Sequence, residues 1–135
     1  MEDVIKKLIE HGINPSYHRI RILSYLLEHK KEHPSADMIY RALIKEIPTL
    51  SKTTVYNTLN LFVKKGLVIP ITIDEQETRF DIDTEPHGHF LCVKCGRIYD
   101  VGKCSALFDK NEIEGHKILE CRVYLRGICK DCLKH

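Results

Sequence analysis

Ser51-Lys52-Thr53-Thr54-Val55-Tyr56-Asn57-Thr58-Leu59-Asn60-Leu61-Phe62-Val63-Lys64-Lys65-Gly66 is the stretch whose reading decides the fold. Ser51 is a good helix N-cap and Gly66 a stop signal. Between them Val55, Leu59, Phe62 and Val63 fall at i, i+4, i+7 and i+8, which predicts a helix over about 52–65 with one apolar side. The other side carries Thr53, Tyr56, Asn57, Asn60 and Lys64, while Ser51, Lys52 and Thr54 add hydroxyls and a cation at the start. No carboxylate occurs from Ser51 to Lys65. Hydroxyls, amides and amines are the groups that hydrogen-bond phosphates and base edges in a major groove. The competing reading is a solvated helix face, but such faces usually mix in Glu or Asp.

Upstream, Pro34-Ser35 opens an earlier helix. Ser35 is its N-cap, Asp37 suits the positive end, Met38, Ile39, Ala42 and Leu43 form its apolar face, and Pro48 ends it. A helix from Ser16 to about Glu28 places Ile20, Leu23 and Leu27 on one stripe. Val4, Ile5, Leu8 and Ile9 mark a first helix that stops at His11-Gly12. Downstream, Leu67 to Ile73 and Thr78 to Ile82 read as two strands joined by the polar turn Asp74-Glu75-Gln76-Glu77. Helices followed by a hairpin are the layout of a winged helix-turn-helix, with the residue 52–65 helix in the groove of double-stranded DNA.

The back of the chain differs in charge. Residues 1–71 carry 11 Lys/Arg against 7 Asp/Glu, whereas residues 72–135 carry 10 against 12 and hold all six cysteines. That asymmetry predicts two modules, 1–83 and 84–135, in an α+β chain. The start, Met1-Glu2-Asp3, is acidic and does not read as a signal peptide, and no apolar run reaches membrane-spanning length. The expectation is a cytoplasmic protein with no membrane partner.

In a reducing compartment, two Cys-x-x-Cys pairs read as a metal site rather than a disulfide framework. Cys92-Val93-Lys94-Cys95-Gly96 is a metal knuckle, and Cys129-Lys130-Asp131-Cys132 repeats it after 33 intervening residues. Four thiolates complete a tetrahedral Zn2+ shell with no open position, which makes the site structural. The alternative is a pair of redox motifs. A thioredoxin-like motif sits at the start of a helix in a βαβ context, and neither pair is expected to do so.

His87-Gly88-His89 precedes the first knuckle. In a strand, residues i and i+2 face the same way, so both imidazoles can reach one ion. Asp81 and Asp83 end the second hairpin strand, and Asp100 follows the knuckle. A lone histidine is usually structural. Two at this spacing among aspartates point to a second metal site, with nitrogen and oxygen donors that suit Fe2+, Mn2+ or Zn2+. Between the knuckles, Arg97 to Val101 reads as a strand, Ser105 to Glu112 as a short helix, and His116 to about Arg126 as a strand containing Ile118, Val123 and Leu125. An α/β module of this size suits dimerisation by sheet pairing.

In these residues the chain resembles the ferric uptake regulator family of bacterial metal-dependent repressors. The resemblance rests on Arg19, His33-Pro34-Ser35-Ala36-Asp37, Ser51 to Gly66, Arg79-Phe80-Asp81, His87-Gly88-His89 and both cysteine pairs, in that order. It implies an N-terminal winged-helix DNA-binding domain and a small α/β dimerisation domain holding the four-cysteine zinc. It also implies a regulatory metal bound by His33, Asp81, His87, His89 and Asp100. His33 enters this set by the resemblance alone. In the implied mechanism, one ion shared by the two domains fixes their orientation, so that a homodimer presents two recognition helices to an AT-rich palindromic operator. Tyr56 would contact bases and Arg19 would contact DNA as well. Asp100, where iron and uptake regulators more often have Glu, resembles the peroxide-responsive (PerR) branch. There, bound Fe2+ reacts with peroxide and oxidises a histidine ligand, here His33 or His87.

The chain also departs from the family pattern. Pro86 and Gly88 stand where further metal ligands are common, and Cys121 stands near a common late histidine. Cys104 falls near a family Glu. These two cysteines read as buried thiols, a disulfide or a soft-metal site. The usual Thr-x-x-Arg is Ser16-Tyr17-His18-Arg19 here. Besides an iron, manganese or zinc uptake regulator of the same family, two other classes compete: a zinc-ribbon interaction module and a metalloenzyme. The module reading leaves the acid-free helix unexplained. The enzyme reading lacks a nucleophile–base arrangement.

Overall fold

A computed structural model describes residues 2–85, 87–102 and 110–134. The chain divides into two compact units, residues 1–84 and 85–135.

The first unit is helical with a terminal hairpin. Its elements are α1 (Glu2–Glu10), α2 (Tyr17–Glu28), a 3-10 turn (Lys30–Glu32), α3 (Ala36–Leu43), α4 (Lys52–Lys64), β1 (Ile69–Ile71) and β2 (Arg79–Asp81). Capping follows the sequence signals at Ser35 and Ser51, while Ser16, expected as the first helical residue, is the N-cap of α2. The Ser16, Ser35 and Ser51 hydroxyls each accept a backbone N–H at the third residue of their helix. Gly12 and Gly66 end α1 and α4 at φ +72 and +77, a conformation open to glycine without strain.

The core gathers Leu8 of α1, Ile22, Leu23 and Leu26 of α2, Ile39 and Leu43 of α3, and Val55, Leu59 and Phe62 of α4. Truncating one of these to Ala would cost about 2–5 kcal/mol. Two helix faces and one helix end sit differently from their sequence expectation. In α2 the buried stripe is Ile22, Leu23 and Leu26, with Ile20 and Leu27 only partly buried. Ile9 of α1 is 60% exposed. In α3 the helix ends at Leu43, and a hydrogen-bonded turn (Ile47 N–H to Leu43 O, 2.9 Å) closes it before Pro48. The hairpin strands are shorter than expected, three residues each, in antiparallel register Ile69↔Asp81, Pro70↔Phe80 and Ile71↔Arg79.

The second unit is built on β3 (Gly88–Cys92), which is the middle strand of three. β4 (Ile98–Val101) pairs with it antiparallel, and β7 (Tyr124–Gly127) pairs with it in parallel. A two-stranded ribbon of β5 (Glu112–Ile113) and β6 (His116–Lys117) lies on the crossover, and α5 (Lys130–Leu133) follows β7. The strand expected from 116 to 126 is thus two separate strands, because residues 118–123 make no ladder. The helix expected near Ser105 to Glu112 lies outside the described residues, apart from 110–112, where Glu112 begins β5.

Candidate metal centres and nucleic-acid interface

The parallel pairing of β3 and β7 positions the four cysteines. Cys92 is the last residue of β3 and pairs with Gly127 of β7, so both knuckles leave the sheet at the same edge. After Cys92 the chain turns through Gly96 at φ +78, where Gly96 N–H meets Cys92 O at 2.8 Å. After β7, Cys129 caps the N-terminus of α5, and Cys132 lies within that helix. The Cys92 and Cys132 sulfurs are 3.8 Å apart, as are those of Cys95 and Cys129, and all four lie within 4.8 Å of one another. A tetrahedron with Zn–S bonds of about 2.3 Å separates its sulfurs by about 3.8 Å, so the cage fits zinc. These separations are well beyond a disulfide bond of about 2.05 Å.

Two of the four thiols, Cys92 and Cys129, are shifted toward the thiolate. Burial pushes the Cys92 thiol up, but backbone N–H groups of Cys129, Cys95 and Lys94 outweigh it and bring the thiol down to about 6. Cys129 is held below the usual thiol range, first by a hydrogen bond from the Tyr99 side chain. Cys132, bonded to the Cys129 side chain, is pushed up to about 12. One sequence expectation is corrected here: the second pair does open a helix. That helix has four residues, and its cysteines face the other pair across the cage rather than each other alone. Cys121 is exposed, against the expectation of a buried thiol, and Cys104 lies outside the described residues.

The histidines of the second unit converge as the two-residue period requires. His87 sits one residue before β3, and His89 pairs with Asp100 across the β3–β4 ladder. His87 Nε2 lies 2.9 Å and His89 Nε2 3.4 Å from the same oxygen, Asp100 Oδ1, with the two rings 4.5 Å apart. Both imidazoles are buried. His87 Nδ1 is 2.6 Å from Glu85 O and donates to it, which leaves Nε2 facing the carboxylate. A ring nitrogen and a carboxylate oxygen this close need a proton or a cation between them. A divalent ion with nitrogen and oxygen ligands suits that chemistry. Gly88 lies between the two histidines, where a side chain would be tightly placed. A Cβ there would meet Val101 O at 3.3 Å and Val123 O at 3.4 Å.

In the first unit His33 and Asp81 form a matching pair. His33 follows the 3-10 turn in left-handed backbone, φ 48 and ψ 65, and is 1% exposed. Pro34 disfavours helix at the residue before it, and Phe80 N–H binds Pro34 O at 3.0 Å, which lays this loop against β2. His33 Nε2 is then 3.5 Å from Asp81 Oδ2, and Asp81 Oδ1 accepts Asp83 N–H at 2.9 Å. Asp83 therefore caps a ligand candidate through its backbone. Sequence reasoning assigned no role to Arg79. Its buried guanidinium donates through Nε to His33 O and through Nη2 to Glu32 O. The available signal was an Arg two residues before Asp81, on the same strand face.

On α4, Thr53, Tyr56, Asn57, Asn60 and Lys64 are all exposed, as the pattern requires, with Tyr56 at 51%. Ser51 and Thr54 are engaged in the cap, with hydroxyls 2.8 Å apart, and Thr58 turns inward to bind Thr54 O at 2.7 Å. Lys52 is held 3.5 Å from Asp37, which also pairs with Arg41 at 3.0 Å, and lies over the Tyr40 ring. Arg19 is partly buried and donates to Asn14 O at 2.9 Å. It shares a cavity of about 430 Å³ with Asn14, Ser16, His18, Thr54 and Asn57. This helix face is polar and uncharged apart from lysine, the composition that phosphate and base edges accept.

Comparison with known proteins adds four findings. The model of the ferric uptake regulator family matches residues 10–126. The peroxide operon regulator of Bacillus subtilis is 34% identical over 138 aligned positions, spanning 99% of this chain and 94% of the relative. Among solved structures, the PerR of Streptococcus pyogenes, described in connection with peroxide sensing and gene regulation, is 34% identical with a TM-score of 0.54 and covers 97% and 91% of the two chains. The ferric uptake regulator of Francisella tularensis with iron is 26% identical with a TM-score of 0.74 and covers 90% and 96%.

Proposed function

The chain belongs to the ferric uptake regulator family of transcriptional regulators, and from that premise we propose that it is a metal-dependent DNA-binding repressor released by peroxide. The observation that carries this reading is the buried donor set of two imidazoles on one Asp100 oxygen, together with a second imidazole–carboxylate pair in residues 1–84.

His87, His89 and Asp100 would hold an Fe2+ or Mn2+ ion together with His33 and Asp81, with Zn2+ an acceptable substitute. Because His33 and Asp81 belong to residues 1–84 and the rest to residues 85–135, shared ligation would restrain one unit against the other. The protein's part is to order itself before DNA binding, which removes an entropic cost from the complex. Bound there, iron(II) would supply the electrons that reduce peroxide, and His33 and His87 would be the side chains that take up oxygen. Loss of a ligand then lowers metal affinity and with it DNA affinity. Cys92, Cys95, Cys129 and Cys132 would hold a structural Zn2+ that this cycle does not use.

The DNA-facing surface would be Thr53, Tyr56, Asn57, Asn60 and Lys64 of α4 with Arg19, Lys52 and the capping hydroxyls of Ser51 and Thr54. A homodimer would place two such helices on the half-sites of an AT-rich palindrome. No helix among the described residues is long and apolar enough to cross a membrane, and a cytoplasmic location follows from the proposed role. The alternative within the family is a metal-uptake regulator, favoured by the likeness to the iron-bound Francisella tularensis protein. The repressor reading is tested by equilibrium binding to a family-type palindrome. Affinity should rise steeply when Mn2+ is added. Equal binding after the labile metal is chelated would overturn it.

A further inference from the structure

Arg79 is a buried cation that the proposed ligand set and DNA face leave without a purpose. Its side chain is 9% exposed. A guanidinium removed from water is costly unless its donors are satisfied, so the places where they go are informative. Nε donates to His33 O, and Nη2 donates to Glu32 O at 2.7 Å. Nη1 lies 3.5 Å from Asp74 Oδ2. The two carbonyls belong to the peptide units on either side of the His33 Cα. One side chain therefore fixes both peptide planes that aim the His33 side chain.

That clamp acts where the backbone needs one. His33 is at φ 48, a left-handed conformation that a residue with a Cβ adopts only when its surroundings hold it there. Lys30 to Glu32 form a 3-10 turn ahead of it, and Pro34 behind it contributes no N–H. Ser35 bridges to Arg79 through the backbone, and Asp74 anchors the far end of the guanidinium while its other oxygen accepts Gln76 N–H at 2.9 Å. Lysine could keep the charge but not the three-way fork.

We propose that Arg79 is a positioning residue for the regulatory metal: it presets the left-handed His33 backbone so that the imidazole meets the ion without reorganisation, and Asp74 keeps the guanidinium aimed. The proposal rests on the reading of His33 as a ligand. Residues that orient a ligand in this way are worth about 10–100-fold in metal affinity when removed.

The test uses the full-length, zinc-loaded protein and Mn2+ alone, with affinity measured by calorimetry and the bound ion observed by electron paramagnetic resonance. Arg79→Lys should retain its zinc and its fold, weaken Mn2+ binding about 10-fold or more, and change the spectrum of the bound ion. A lower unfolding temperature with unchanged Mn2+ affinity and spectrum would show a merely structural role and overturn the proposal. His33→Ala separates this from failure of the underlying reading. If His33→Ala binds Mn2+ as the parent does, the ligand assignment is wrong. If His33→Ala is weak and Arg79→Lys is normal, the positioning role alone is wrong. Should Arg79→Lys not fold, Asp74→Asn decides: Mn2+ affinity reduced several-fold supports the clamp, and unchanged affinity overturns it.

Discussion

His89 Nε2 and Asp100 Oδ1 face each other at 3.4 Å across the β3–β4 ladder, in register as direct strand partners. The pairing makes Asp100 the shared partner of two buried imidazoles and fixes what its removal should do. Asp100→Ala is expected to lower Mn2+ affinity by at least about 10-fold and to abolish metal-stimulated DNA binding. Zinc content and helix content should stay at parental values. Titration with Mn2+ and gel-shift assays on one preparation check both halves.

The zinc proposed for the four-cysteine cage is expected to be indispensable to residues 85–135. Among its described residues that unit has few buried apolar side chains, Leu91 and Ile98 among them, and below about 70–80 residues a core of that kind needs a staple. Binding to structural zinc sites is worth roughly 10–16 kcal/mol in small metallo-domains. Cys92→Ser should therefore lose one equivalent of zinc and the cooperative unfolding of that unit, while the far-ultraviolet signal of the α1–α4 helices persists. A variant that stays folded and zinc-free, seen by metal analysis and calorimetry together, would refute the structural role.

Two kinds of contact on α4 should separate by their salt dependence. Lys64→Ala is expected to weaken binding to all DNA sequences and to reduce the salt slope by about 1. Asn57→Ala should cost about 1–3 kcal/mol on the operator while leaving the slope nearly unchanged. Fluorescence anisotropy over a range of salt concentrations distinguishes the two.

Asp37 restrains two cations near the start of α4, Lys52 at 3.5 Å and Arg41 at 3.0 Å. Asp37→Asn should release them toward phosphate. Non-specific DNA binding is then expected to tighten, with a salt slope steeper by about 0.9 for each new phosphate contact. The effect should vanish when Lys52 and Arg41 are both alanine. The same anisotropy titration on scrambled DNA checks it.

Much of this was legible in the chain because local rules agreed with the fold. Ser35 and Ser51 announced their helices through capping, and Val55, Leu59 and Phe62 announced the buried side of α4 through period. The four cysteines were legible from spacing alone, since two knuckles have few other uses. What escaped were features set by tertiary contact. The buried stripe of α2 is rotated to Ile22 and Leu26 by the helices packed on it, which composition does not specify. The break in the strand expected from 116 to 126 depends on where β3 offers a partner. His33 entered only by resemblance, because its ligand geometry comes from a left-handed backbone held by Arg79, 46 residues away.

The most direct measurement is peptide mass spectrometry of the Fe2+-loaded protein after brief exposure to hydrogen peroxide, with DNA binding followed in the same sample. One added oxygen is expected on His33 or His87, with none in a Mn2+-loaded control and with loss of DNA binding in step with the modification. Unmodified histidines in a protein that stays on its operator would contradict peroxide sensing and leave metal supply as the signal.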